Sequence, residues 1–199
     1  MSEFVIFDTE YTTWEGCITN GWHGQQKKEI VQIGAIKADA ATLQIKDIFQ
    51  CLIQPTKNPR LSDYFVKLTG ISNEEVVREG ISFAEAYEKF CRFCGDCPCL
   101  YHCWNETPAT SSDGEIMEEN IRLNQIEDCR HLQYVNVAPW FRQRYAEAGI
   151  KVEKQSSGEI AGILGVTVEG NLHNALFDAA SIFKGIAYFK GKDLVKLWK

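Results

Sequence analysis

The stretch "FVIFDTEYTTWEG" near the N-terminus constrains this chain more than any other. Phe4, Val5, Ile6 and Phe7 are good strand residues, and they run directly into Asp8 and Glu10. Side chains two apart on a strand share a face, so these carboxylates point the same way from Cα atoms roughly 7 Å apart. Like charges in that position repel unless something positive lies between them. A divalent cation with oxygen ligands meets that need. The plain alternative is a solvent-facing strand end with two acids, and this stretch alone does not separate the two.

The rest of the chain suits a single domain over residues 1–199, with 45% hydrophobic residues to fill one core. No run of 18 apolar residues is present, so no membrane span is expected. The opening Met-Ser-Glu-Phe lacks the basic and apolar regions of a signal peptide, and the expected location is cytoplasmic. A net charge of −6 excludes gripping nucleic acid by charge alone. It leaves room for a metal-dependent enzyme acting on phosphates, because bound cations reverse the local sign.

Hydrophobic runs place strands at 4–11, 29–37 and 48–54, the last stopped by Pro55. The segment 16–28 between the first two is polar and Gly-rich, and reads as mobile. Caps follow at Ser72 and at Ser82, where Ser82-Phe-Ala-Glu85 is a capping box for a helix to about residue 94. A fourth strand is expected at 99–104, a loop at 105–112, a helix from Asp113 to about 124 and a short strand at 133–135. Helices are then expected at 137–148, 158–164 and from about 174 to 189. This order predicts an α/β fold with a mixed sheet, antiparallel at first and crossed over by helices later.

Near the C-terminus stands "GNLHNALFDAA". His173 and Asp178 are five apart, about 140° round a straight helix, so they do not share a helix face. They converge only if Asn174 caps the helix and His173 sits on the loop entering it. Alone, the pair reads equally as a surface histidine and a helix acid.

Taken in order, Asp8-Thr9-Glu10, Asp113 at a helix start, and His173 followed five residues later by Asp178 resemble the three motifs of the DEDDh 3′–5′ exonucleases. "LTGIS" (Leu68 to Ser72), "SSDGEIM" (Ser111 to Met117) and "EIAGILGV" ahead of "HNALFDA" are similar to that family's other segments. The form Asp-x-Glu-x-Thr with "EIVQIGA" after it resembles the RNA-trimming exoribonuclease branch and its bacterial relatives.

The resemblance implies a ribonuclease H-like mixed five-stranded sheet flanked by helices. It implies that Asp8, Glu10, Asp113 and Asp178 hold two divalent cations, Mg²⁺ or Mn²⁺, which clamp the attacking and leaving oxygens of a phosphodiester. His173 is implied as the general base, its ordinary pKa lying near working pH. The implied substrates are 3′ ends of single-stranded RNA or DNA, and the products nucleoside 5′-monophosphates. Asp96 and Asp128 are rivals to Asp113, but one precedes the fourth strand and the other follows the helix. The insertion "NETPAT" (Asn105 to Thr110) separates Asp113 from that strand more than is usual in the family.

Trp14, six residues after Asp8, stands where the family carries an apolar wedge beside the terminal base; otherwise it is a core tryptophan. Thr9 and Thr69 are expected in the nucleotide pocket. The cluster "CRFCGDCPCLYHC" (Cys91 to Cys103) has zinc-like spacing, but its placement across a helix end and a strand favours buried or redox-sensitive thiols. The competing reading of the whole is a catalytically inactive nucleic-acid-binding or regulatory module on the same fold.

Overall fold

The computed structural model describes residues 3–104, 112–127, 132–191 and 194–197. The Asn105 to Thr110 insertion, Asp128 and the eighth cysteine, Cys129, lie outside the described residues.

Five strands form one sheet: β1 (Glu3–Tyr11), β2 (Ile30–Asp39), β3 (Ile45–Leu52), β4 (Cys99–Tyr101) and β5 (Tyr134–Asn136). Their spatial order is β3-β2-β1-β4-β5. The first three are antiparallel neighbours, while β4 pairs parallel with β1 and β5 parallel with β4. The expected mixed five-stranded sheet is therefore present. Short connections produce the antiparallel half. Between β2 and β3 the Asp39 carboxylate accepts from the Ala41 and Thr42 N–H groups, an Asx turn that reverses the chain. Parallel pairing needs helical crossovers. These are α2 (Asp63–Thr69), α3 (Asn73–Glu79) and α4 (Phe83–Cys94) before β4, and α5 (Asp113–Leu123) before β5.

Alternation along β1 sorts the core onto two faces. Val5 and Phe7 pack with Phe90, Cys91 and Cys94 of α4 and with Ile116 and Met117 of α5. Phe4 and Ile6 pack on the opposite face. There they meet α6 (Ala138–Ala148) through Trp140 and Phe141, and α8 (Ala175–Tyr188) through Ile182, Phe183 and Ile186. A 3₁₀ turn (Ser157–Glu159) and the short α7 (Ile160–Ile163) complete that side.

Several expectations need correction. The segment 16–28 carries a helical turn, α1 (Cys17–Asn20), and folds back on β1. There the Trp22 indole N–H donates to the Thr12 carbonyl at 3.0 Å, and the ring lies 5.9 Å from Tyr11. Helix α2 was not expected, although its signals stand in the chain. Ser62 caps it by accepting from the Phe65 N–H, and Gly70 closes it with φ 76°. Strand β3 runs earlier than 48–54, and β4 stops at Tyr101 rather than residue 104.

Candidate active site

The end of β1 is the centre of a cleft of about 280 Å³. Asp8, Glu10, Asp113, His173 and Asp178 all line it. Each arrives by a different local device.

Asp8 and Glu10 continue the face of Phe4 and Ile6, so they look toward α8. Both are buried, at 6% and 8% exposure. The strand beside them makes room for that helix. Asp8 pairs in register with Gly34 of β2. A Cβ on Gly34 would lie 2.2 Å from the Leu176 backbone nitrogen, so only glycine lets the first turn of α8 press on the sheet. Gln32, two residues earlier on the same face, accepts from the Ala175 N–H at 2.8 Å.

This docking carries Asp178 to the acids of β1. Asn174 caps α8, its side chain accepting from the Leu176 and Phe177 N–H groups. His173 sits just outside the helix in the left-handed region at φ 61°. Ligand atoms of Glu10, His173 and Asp178 lie within 4.8 Å of one another. The 3₁₀ turn approaches so closely that a Cβ on Gly158 would fall 2.2 Å from Asp178 Oδ1. Ser181 of α8 ties that turn down, donating to the Gly158 carbonyl and accepting from the Ala161 N–H, each at 3.0 Å.

Asp113 comes from the other face. It is the first residue of α5, after the Ser112–Glu115 capping box. Its Oδ1 accepts from the Thr9 N–H at 3.0 Å and from the Thr9 hydroxyl at 2.6 Å.

The electrostatics are those of crowded negative charge, with no Lys or Arg ion pair to these carboxylates among the described residues. Burial, then Asp113, Asp178 and Glu10, push Asp8 well above the carboxylate range. Glu10 is raised likewise by burial, Asp178 and Asp113. Burial lifts Asp113 to about 6 against the pull of the Thr9 hydrogen bonds. Burial and Asp113 lift Asp178 to about 7. Burial moves His173 the opposite way, below its ordinary value, which favours the neutral imidazole. The Asp178 Oδ1 is buried with no hydrogen-bond partner among the described residues. An all-oxygen carboxylate set with an orphan buried lone pair fits a hard divalent cation.

The cleft and the matching sequence agree on a lineage. A profile of the exonuclease family (RNase_T) matches residues 5–184, nearly the whole chain. The chain belongs to the exonuclease family. Among the curated exonuclease relatives, human ERI1 exoribonuclease 2 is 32% identical over 89 residues, which is 45% of this chain and 12% of that protein. Human 3'-5' exoribonuclease 1 is 36% identical over 73 residues, 37% of this chain and 20% of that one. The chain thus matches no more than a fifth of the length of either curated relative. The nuclease domain of 3'hExo, a DEDDh family member solved bound to rAMP, superposes with a TM-score of 0.75 at 21% identity. That superposition covers 98% of this chain and 94% of that one.

Three residues expected at the nucleotide pocket have other positions or duties. Thr9 lines the cleft, but its hydroxyl is spent on Asp113. Thr69 lies off the cleft, its hydroxyl donating to the Phe65 carbonyl and accepting from the Ile71 N–H to close α2. The neighbouring Leu68 reaches the cleft instead. Trp14 is half-buried and belongs neither to the cleft lining nor to the core clusters. The chain turns after β1, and Ile18 of α1 presents the apolar surface, 51% exposed.

Sequence reading missed Gln32, Gly34, Gly158 and Ser181, which position α8. A glycine inside the β2 run was the available signal. The cysteine cluster does not gather as a metal centre. Among the described residues, Glu10, His173 and Asp178 form the one group of three or more ligands close enough to share an ion. Cys94 and Cys99 are fully buried, and burial with thiol neighbours drives Cys94 far above the ordinary thiol range.

Proposed function

We propose that this chain is a metal-dependent 3′–5′ exonuclease of single-stranded nucleic acid, favouring RNA over DNA and releasing nucleoside 5′-monophosphates. The described residues act as a single exonuclease domain. The observation that carries the reading is the convergence of Asp8, Glu10, Asp113 and Asp178 with His173 in one cleft. Asp8, Glu10 and Asp178 are buried and raised by neighbouring carboxylates as well as by burial, and Asp113 is raised by burial, so the cluster destabilises the fold unless cations join it. The exoribonuclease names of the curated relatives support RNA.

Asp8, Glu10, Asp113 and Asp178 would hold two divalent cations, Mg²⁺ or Mn²⁺. When bound, these ions acidify the attacking water and offset charge on the leaving 3′ oxygen. The protein's part is positional. Gly34 and Gln32 set α8 against the sheet, and this fixes Asp178 opposite Asp8 and Glu10. Thr9 holds one oxygen of Asp113, leaving the other for the ions. His173, neutral because it is partly buried, takes a proton from the attacking water. Leu68 and Ile18 offer apolar surface to the terminal base.

The test is a degradation ladder on 5′-labelled single-stranded RNA and DNA of one sequence, with Mg²⁺, Mn²⁺ or EDTA, beside Asp8→Ala. Metal-dependent shortening one nucleotide at a time from the 3′ end, lost in the variant, is expected. No cleavage of either strand with either ion overturns the reading.

A further inference from the structure

A second set of polar groups lines the same cleft, and the chemistry above does not use it. His102 follows β4 and is 4% exposed, yet neither ring nitrogen has a hydrogen-bond partner on another of the described residues. Gln155 is 3% exposed. Its Nε2 donates to the Tyr145 hydroxyl at 2.8 Å, while its Oε1 has no partner. The two groups share one neighbourhood. The His102 ring lies 5.8 Å from Phe141 and 6.1 Å from Trp104. Both of those rings pack on Tyr145, at 5.9 and 6.4 Å, and Tyr145 holds Gln155. Native proteins seldom leave buried polar atoms unpaired, so several orphans on one cleft wall point to a partner that arrives with the substrate.

The orphans select the chemistry of that partner. Burial, with the Arg142 charge nearby, pushes the His102 imidazole down to about 4. The ring is therefore neutral near pH 7, with one nitrogen donating and the other accepting. Gln155 Oε1 only accepts. A phosphate oxygen brings lone pairs alone and would leave both acceptors facing acceptors. A hydroxyl brings a proton and lone pairs together. On a nucleic-acid strand, the ribose 2′-OH is such a group, and DNA lacks it.

We propose that His102 and Gln155 form a reading site for a ribose 2′-hydroxyl, which accepts from the imidazole N–H and donates to Gln155 Oε1. The proposal rests on the exonuclease reading and names the basis of its preference for RNA. A deoxyribose at that position leaves the buried groups unpaired, and such a site discriminates by omission.

The experiment uses single-stranded RNA carrying one 2′-deoxynucleotide at the terminal, penultimate or third position, and DNA carrying one ribonucleotide at each. A hydrogen bond of ordinary strength predicts that a single position changes the removal rate by about tenfold, with the same change for all four bases. His102→Phe keeps a ring against Phe141, and Gln155→Met keeps the volume. Each lowers the RNA rate about tenfold more than the DNA rate. An equal loss on RNA and DNA, an unchanged ratio, or an effect that follows the base overturns the proposal, the last assigning the pair to a base edge. If the variants do not fold, the single-position series on the wild-type protein decides alone. If the wild-type protein shortens neither strand, the exonuclease reading fails separately. Equilibrium binding of the same oligonucleotides then decides: about tenfold tighter binding of the ribose form upholds the pair, and equal binding rejects it.

Discussion

The hydroxyl and the backbone N–H of Thr9 both donate to one oxygen of Asp113, at 2.6 and 3.0 Å. The residues are 104 apart in sequence and meet because of a strand's alternation. Thr9 continues the β1 face of Val5 and Phe7, where α5 packs. Asp8 and Glu10 continue the opposite face, where α8 packs. The end of β1 therefore collects acids from both layers, and Thr9 orients one of them.

Thr9→Val keeps the shape and the backbone bond but removes the hydroxyl. A hydrogen bond to a charged group contributes about 1.5–3 kcal/mol, so cleavage should slow by roughly tenfold to a hundredfold. The metal concentration giving half-maximal rate should rise, because Asp113 loses a fixed orientation. An unchanged rate and metal midpoint would show that the backbone bond alone suffices.

Gly34→Ala places a methyl group 2.2 Å from the Leu176 backbone nitrogen. Backbone cannot yield as a flexible side chain can, so α8 must lift from the sheet. Overpacking of this kind costs about 1–3 kcal/mol, and the lift separates Asp178 from Asp8. Loss of both thermal stability and cleavage is expected. Gly158→Ala, whose methyl group would meet the Asp178 carboxylate itself, should remove cleavage with less effect on melting.

The raised carboxylates set a pH dependence for the metal-free protein. In the folded state Asp113 releases its proton near 6 and Asp178 near 7, against 3.8 for an ordinary aspartate. Between those limits the folded protein binds more protons than the unfolded chain, so stability falls as pH rises. The contribution is complete below about 3.8 and gone above about 7. In EDTA the melting temperature should fall from pH 5 to pH 8, by roughly 2–4 °C for each kcal/mol lost. Mn²⁺ should restore more at pH 8 than at pH 5. Asp178→Asn should flatten the EDTA curve and abolish cleavage. A level wild-type curve in EDTA would contradict the electrostatic account.

His173→Ala should lower the rate by about 10²–10⁴, as expected for loss of a general base. Metal titrations of the variant distinguish its duties. An unchanged midpoint fits proton transfer. A midpoint raised tenfold or more would make the imidazole a ligand, a role its position within 4.8 Å of the Glu10 and Asp178 carboxylates also permits.

Much of this was present in the order of the residues. The strand ending in Asp8 and Glu10, the capped helix opening at Asp113 and the capped helix at Asn174 are local features. Periodicity and capping are set by neighbours in the chain, so they are legible without the fold. The same holds for the α/β class, which follows from strands succeeded by alternating helices. Tertiary structure decided what local features cannot carry. It took the Thr9 hydroxyl for Asp113 and the Thr69 hydroxyl for the end of α2. It put Ile18 and Leu68 on the cleft, and Trp14 off it. It made Gly34 and Gly158 the points of closest approach around α8, and it left the His102 ring nitrogens and the Gln155 Oε1 buried without partners among the other described residues. Each of these outcomes depends on which distant surface a side chain meets. Sequence spacing does not encode that surface; the packing of helices on the two faces of one twisted sheet does.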